Sequence, residues 1–154
     1  MNSEISSNRP SRAVPNWIIA SFLVISFIGF ADATYLTAKH YSGTPLECSV
    51  FESCEKVTTS RYATVLGIPV ALLGAIYYLA IFLSLIAYLD LRREGILSFT
   101  ALFTIVGLLA SAWFVYLQLF VIQAICPYCM VSAVASTVLF LLGMLALKKK
   151  RVSC

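Results

Sequence analysis

Charge is scarce in this 154-residue chain. Asp, Glu, Lys and Arg together make up 12% of it, where about 25% is usual for a soluble domain. Apolar residues reach 60%, above the roughly 45–50% of ordinary globular proteins. Too little polar surface is available to face water all round, which excludes a soluble fold and points to an integral membrane protein. Histidine is down to one residue, His40, just past the end of an apolar run. There it reads as an interfacial polar tip rather than a catalyst. There is no internal repeat and no low-complexity tract. The basic residues form short clusters beside apolar runs, where they serve topology, and this argues against a nucleic-acid partner. No cleavable signal peptide is expected, because the first apolar run is too long for one and continues unbroken.

Four apolar runs remain once the polar stretches are set aside. They cover residues 17–38, 63–89, 95–124 and 127–147. Each has about the 20 residues that a 30 Å hydrocarbon layer requires. Lipid offers the backbone no hydrogen bonds, so continuous apolar runs must be helices. The expected fold is all-α, an up-down bundle of four membrane helices occupying residues 17–147. Residues 1–16 are expected to be a mobile tail and residues 148–154 a basic tail. A polar loop at residues 39–62 joins the first two helices.

Orientation follows from Lys and Arg. Arg9 and Arg12, Arg92 and Arg93, and the run Lys148, Lys149, Lys150 and Arg151 fall on one side, which should be cytoplasmic. The 39–62 loop holds Lys39, Lys56 and Arg61, but three clusters outweigh one. A plasma membrane is the expected setting, with that loop outside. Four of the five cysteines then face the oxidising side; Cys154 sits alone on the other.

The organising stretch is Cys126-Pro127-Tyr128-Cys129. Proline disfavours helix at the residue before it and suits the first position of a new one. The two thiols therefore open the fourth helix, three residues apart on one side. This spacing is close to disulfide reach, and a helix N-terminus favours thiolate. Cys48 and Cys54 lie in the loop at the same face, in a segment that can extend by up to ~20 Å. Two dithiols within reach suggest exchange between a mobile pair that meets a partner and a fixed pair that hands electrons onward. Two purely structural disulfides would also use four outside cysteines. A four-cysteine zinc site is a further reading, although the six-residue spacing is loose and the second pair borders lipid; no metal is expected. The string Cys-Pro-Tyr-Cys also occurs in glutaredoxins, but their fold needs strands and here the string starts a membrane helix.

The combination of features is more specific than C-x-x-C. Cys48 and Cys54 are followed by Thr59-Ser60-Arg61, Gly67-Ile68-Pro69 and the fourth-helix Cys126-Pro127-Tyr128-Cys129, with Asp32-Ala33-Thr34-Tyr35-Leu36 closing the first helix. This layout resembles the vitamin K epoxide reductase family, in its bacterial and archaeal thiol-oxidase branch, over about residues 17–147. The resemblance implies that Cys48 takes electrons from a thioredoxin-like partner and Cys54 relays them to Cys126. It implies that Cys129 lies beside a quinone, ubiquinone or menaquinone, which serves as electron-accepting substrate. The sequence stops soon after the fourth helix, without the thioredoxin-like domain fused in some relatives, so a separate partner is implied. Disulfide-bond formation protein B, another four-helix thiol oxidase, carries its C-x-x-C in the first outside loop, which does not match the order here.

Within that resemblance, Ser60 matches a loop serine near the active site and could hydrogen-bond a quinone carbonyl; its ordinary reading is a helix N-cap. Asp32, an ionisable group within a membrane helix, could relay a proton, or simply bond a neighbour at the interface. Ala133 stands where animal members have a tyrosine, and no asparagine lies near Val70. Quinone reduction is therefore favoured over vitamin K epoxide reduction in a lumenal membrane. Tyr77, Tyr78, Phe114, Tyr116 and Phe120 could line a pocket but read first as packing or lipid-facing residues. The small residues Gly67, Ala71 and Gly74 predict close helix approach, and Gly67-Ile68-Pro69 a kink. The reaction expected is thiol oxidation supporting disulfide formation in secreted proteins; a non-catalytic scaffold stapled by disulfides is the rival.

Overall fold

Pro15 and Gly43 bracket the first helix. Pro15 lacks an N–H to lose, and its carbonyl accepts the Ile18 N–H at 2.9 Å. Gly43 ends the helix with φ 59°, a left-handed cap that glycine adopts without penalty. Between them runs α1, Asn16–Ser42. The computed structural model describes residues 14–43, 57–58, 60–91 and 93–152. Cys48, Cys54 and Cys154 lie outside the described residues, as do Thr59, Arg9, Arg12 and Arg92. Val14 is buried within the main core, and Asn16 already belongs to α1, so the chain is anchored before residue 17.

Three further long helices follow: α2, Val70–Leu91; α3, Glu94–Tyr116; and α4, Pro127–Val152. All four are long and apolar enough to cross a membrane. At 1.5 Å per residue even the shortest, α2, extends about 33 Å. The chain is thus the expected all-α membrane bundle. α1 packs on α2 and α4, and α3 packs on α4 and α2.

The entry to α2 differs from the expectation. Residues 64–69 are not helical. A 3₁₀ turn, Arg61–Ala63, leads into a two-stranded hairpin of β1, Thr64–Val65, and β2, Ile68–Pro69. Leu66 and Gly67 form its tip with φ 54° and 80°, the pair of positive values a tight hairpin turn needs. Gly67-Ile68-Pro69 therefore builds a turn and a helix start rather than a kink. Pro69 lacks the N–H a continuing helix would use and biases Ile68 away from helical geometry.

Polar side chains stitch the apolar helices. The Tyr78 hydroxyl on α2 donates to the Ser132 carbonyl on α4 at 2.7 Å and shares a 3.0 Å bond with the Ser132 hydroxyl. Ser111 on α3 and Ser136 on α4 share a 2.6 Å bond. Such bonds are worth roughly 0.6 kcal/mol each in a bilayer, so they specify register more than they stabilise. Glycine makes room for both tyrosines: a Cβ at Gly29 would stand 2.5 Å from the Tyr78 ring, and one at Gly107 would collide with the Tyr77 hydroxyl. Gly74 of α2 faces Ala33 of α1, where an added Cβ would stand 3.7 Å away, an ordinary contact that does not require glycine. Gly67 lies in the hairpin and takes no part in that contact. Large apolar side chains such as Phe27, Leu83, Leu109 and Val134 point outward, as lipid contact requires.

Candidate functional site

The link between α3 and α4 sets the site. α3 does not stop at Tyr116 but widens into a π-helical turn, Leu117–Ile122. Gln123 then takes a left-handed conformation, φ 53°, and the chain turns back so that Pro127 opens α4. The expected break at Cys126-Pro127 is present. The Met130 N–H reaches the Cys126 carbonyl at 3.1 Å, so the first turn of α4 is already closed across the motif.

Cys126 is fully buried and Cys129 half-buried, both as free thiols. They face different surroundings. Cys126 packs in a small cluster with Val57 and Ala124, bordered by Tyr128 and Ile122. Cys129 lines a cavity of about 440 Å³ inside the bundle. The Cys126 thiol, in the link outside the spans, is drawn down from 9.0 to about 7. The main cause is its hydrogen bond with the Cys129 thiol; the N–H groups of Cys129 and Tyr128 at the helix start add to it against the opposing effect of burial. A thiol with this value is a good leaving group in disulfide exchange. Tyr128 packs its ring on Tyr35 of α1, 5.4 Å between centroids, which fixes the motif against the first helix.

The cavity wall comes from every helix and from the segment after the loop. Val70, Ala71 and Gly74 of α2 and Ala133 of α4 keep it open because they are small or set back, and Tyr77, Tyr78 and Phe114 supply aromatic faces. A mostly apolar cavity with a few polar groups is the ordinary form of a small-molecule site. Val70 and Ala133 are both on the wall. Of the five aromatic residues read first as packing or lipid-facing, Tyr77, Tyr78 and Phe114 are on the wall instead. Tyr116 and Phe120 are 49% and 67% exposed and face outward, though both border a shallower groove between α3 and α4.

Ser60 is also on the wall, but its hydroxyl proton is committed to the Val57 carbonyl at 2.7 Å. It makes no side-chain cap; it ties the end of the loop to the turn packed on Cys126. Its oxygen is left to act as an acceptor, not as the carbonyl donor expected. His40 is exposed at the rim, nearer the site than its sequence position suggested. Asp32 is not on the wall. It is near enough to act electrostatically on Cys126, and its Oδ2 is buried without a hydrogen-bond partner. The Tyr77 hydroxyl is likewise buried and unpartnered. Among the described residues no group of three or more His, Cys, Asp or Glu could hold a metal.

Sequence reasoning missed Ser132 and Gln118. Gln118 is 3% exposed, reaches the cavity wall and accepts the Cys126 N–H through Oε1 at 3.0 Å. A primary amide inside a membrane helix, eight residues before the motif, was the signal available.

Against known families, the model of the vitamin K epoxide reductase family matches residues 20–144. No curated protein matches the chain. The matched span holds α2 and α3 whole, most of α1 and α4, the cavity and both cysteines of the motif.

Proposed function

The chain belongs to the vitamin K epoxide reductase family, and from that premise we propose that it oxidises the dithiol of a separate thioredoxin-fold protein and passes the electrons to a membrane quinone. The family makes it a membrane oxidoreductase of thiol–disulfide and quinone chemistry; the donor and the direction are our reading. The observation that carries it is the division of labour between the two sulfurs. Cys129 lines the cavity, while Cys126 lies behind it against Val57. Val57 is only three residues along the chain from Cys54, a tether of at most ~11 Å.

The electron balance closes. The partner's dithiol reduces the Cys48–Cys54 disulfide and leaves oxidised. The Cys54 thiolate attacks the Cys126 sulfur of a Cys126–Cys129 disulfide, and Cys129 leaves as thiolate. Cys48 then attacks Cys54, re-forming the loop disulfide and releasing Cys126, whose low pKa suits a leaving group. The Cys126–Cys129 disulfide re-forms as two electrons and two protons pass to the quinone, which leaves as quinol. Asp32 fits the role of proton exchanger: its Oδ2 is unpartnered and the group is near enough to act electrostatically on Cys126. The membrane would be a bacterial or archaeal plasma membrane, with the cysteines outside and secreted proteins as final beneficiaries.

The test is quinone reduction by purified protein in lipid nanodiscs with a reduced thioredoxin-fold donor. Cys129→Ala, folded and embedded, should lose roughly 1,000-fold or more in rate. A folded Cys129→Ala variant that still reduces quinone at the wild-type rate sinks the reading. The same assay run with vitamin K epoxide should show little turnover.

A further inference from the structure

Gln118 holds the whole link between α3 and α4. Its backbone carbonyl accepts the Ala124 N–H at 3.1 Å and the Gln123 N–H. Its side-chain Oε1 accepts the Cys126 N–H at 3.0 Å. The N–H groups at positions 123, 124 and 126 thus converge on one residue. Cys126 precedes a proline and stands outside the α4 ladder, so its N–H has no helical carbonyl to reach. An unpaired buried N–H is costly, and an amide eight residues back satisfies it without charge. The π turn matters here. Its wide ring brings the Gln123 N–H onto the Gln118 carbonyl, and Gln118 is 3% exposed.

We infer that Gln118 is a positioning residue for the exchange cysteine: it fixes Cys126 against Cys129 and the Val57 turn, and so controls thiol exchange. The inference rests on the reading of Cys126 as the sulfur that meets the loop pair. It differs from a packing role because it assigns the effect to one acceptor atom. Gln118→Met keeps length and volume but removes the acceptor. Gln118→Glu keeps an oxygen acceptor at the same reach, whether its carboxyl is protonated or not.

The experiment needs neither quinone nor partner. In a Cys48→Ser, Cys54→Ser, Cys154→Ser background, the Cys126–Cys129 pair is equilibrated with a dithiol redox buffer and its oxidised fraction read by alkylation. Gln118→Met should shift the equilibrium constant by about five- to tenfold, the worth of one buried hydrogen bond. Its Cys126 titration should rise from about 7 toward 9.0 as the sulfur leaves the Cys129 thiol and the helix-start N–H groups. Gln118→Glu should return the equilibrium to within about twofold of wild type. In the full chain, Gln118→Met should lower the exchange-limited kcat by about the same five- to tenfold. An unchanged equilibrium and titration in a folded Gln118→Met protein overturns the inference, and so does a Glu variant as impaired as Met. Loss of quinone activity in the wild-type chain would instead count against the functional reading, so the two failures are separable.

Discussion

The two ends of the bundle are made of the same helices and nearly the same residue types, yet one end is solid and the other hollow. At the solid end Ile81, Leu85, Tyr88, Leu139, Leu142 and Ala146 interlock in the main core, with Ile81, Leu85 and Leu139 fully buried. At the hollow end Gly74, Ala71 and Ala133 face inward and a cavity of about 440 Å³ remains. Apolar composition does not distinguish these ends; side-chain volume at facing positions does. Packing is the main force holding membrane helices together, so the hollow end draws on other contacts. The Tyr78–Ser132 and Ser111–Ser136 bonds both border the cavity, and the Tyr35–Tyr128 ring pair holds the motif against α1.

That contrast makes opposite demands on opposite substitutions. Leu139→Ala at the solid end should lower stability by about 2–5 kcal/mol, measured by unfolding in mixed micelles, with the quinone KM little changed. Ala133→Phe at the hollow end should do the reverse: it fills the cavity, leaves stability nearly intact and raises the quinone KM roughly tenfold. Equal effects of the two variants on KM would mean that the cavity is not where quinone binds.

A smaller effect separates the two sulfurs of the hollow end. Cys126 should titrate near 7 in the reduced protein, followed by ultraviolet thiolate absorbance with Cys48, Cys54 and Cys154 replaced by serine. The sign is that of an acid made stronger: thiolate is present above about 7 and lost below it, so re-oxidation of the reduced Cys126–Cys129 pair should slow as pH falls through that value. Cys129→Ala removes the leading cause, the thiol–thiol hydrogen bond, and should move the Cys126 titration back up toward 9.0. A titration that stays near 7 in that variant would place the cause in the helix start alone.

The smallest contrast lies between adjacent tyrosines. Tyr78→Phe removes a hydroxyl bonded to Ser132 and should cost about 1 kcal/mol. Tyr77→Phe removes a hydroxyl that is buried without a partner and should be neutral or slightly stabilising, within about 0.5 kcal/mol. A large loss of quinone turnover in Tyr77→Phe at unchanged stability would instead give that hydroxyl a role toward substrate.

The spans were legible because each is a property of one continuous stretch: twenty apolar residues in lipid have no alternative to helix. Pro127 announced the break at Cys126 for the same local reason. The hairpin at residues 64–69 was hidden, because Val65, Leu66 and Ile68 read as membrane residues and only backbone φ separates a turn from a helix start there. Ser60 was found on the wall, but its proton is spent on the carbonyl of Val57, a partner three residues away that spacing alone does not assign. The cavity itself was invisible, since it is a volume missing among helices that are distant in sequence. Gln118 was overlooked because its value lies in a hydrogen bond to the Cys126 N–H across a turn whose backbone path only the folded chain shows.

Residue order alone therefore established a four-helix membrane chain and the fourth-helix dithiol, since these follow from local hydropathy and proline geometry, while the family rests on likeness to known sequences. Folding in three dimensions decided which sulfur borders the cavity, which is turned to the loop, and which amide holds the turn between them. Those outcomes depend on the meeting of helices up to about a hundred residues apart, and no local rule of sequence specifies them.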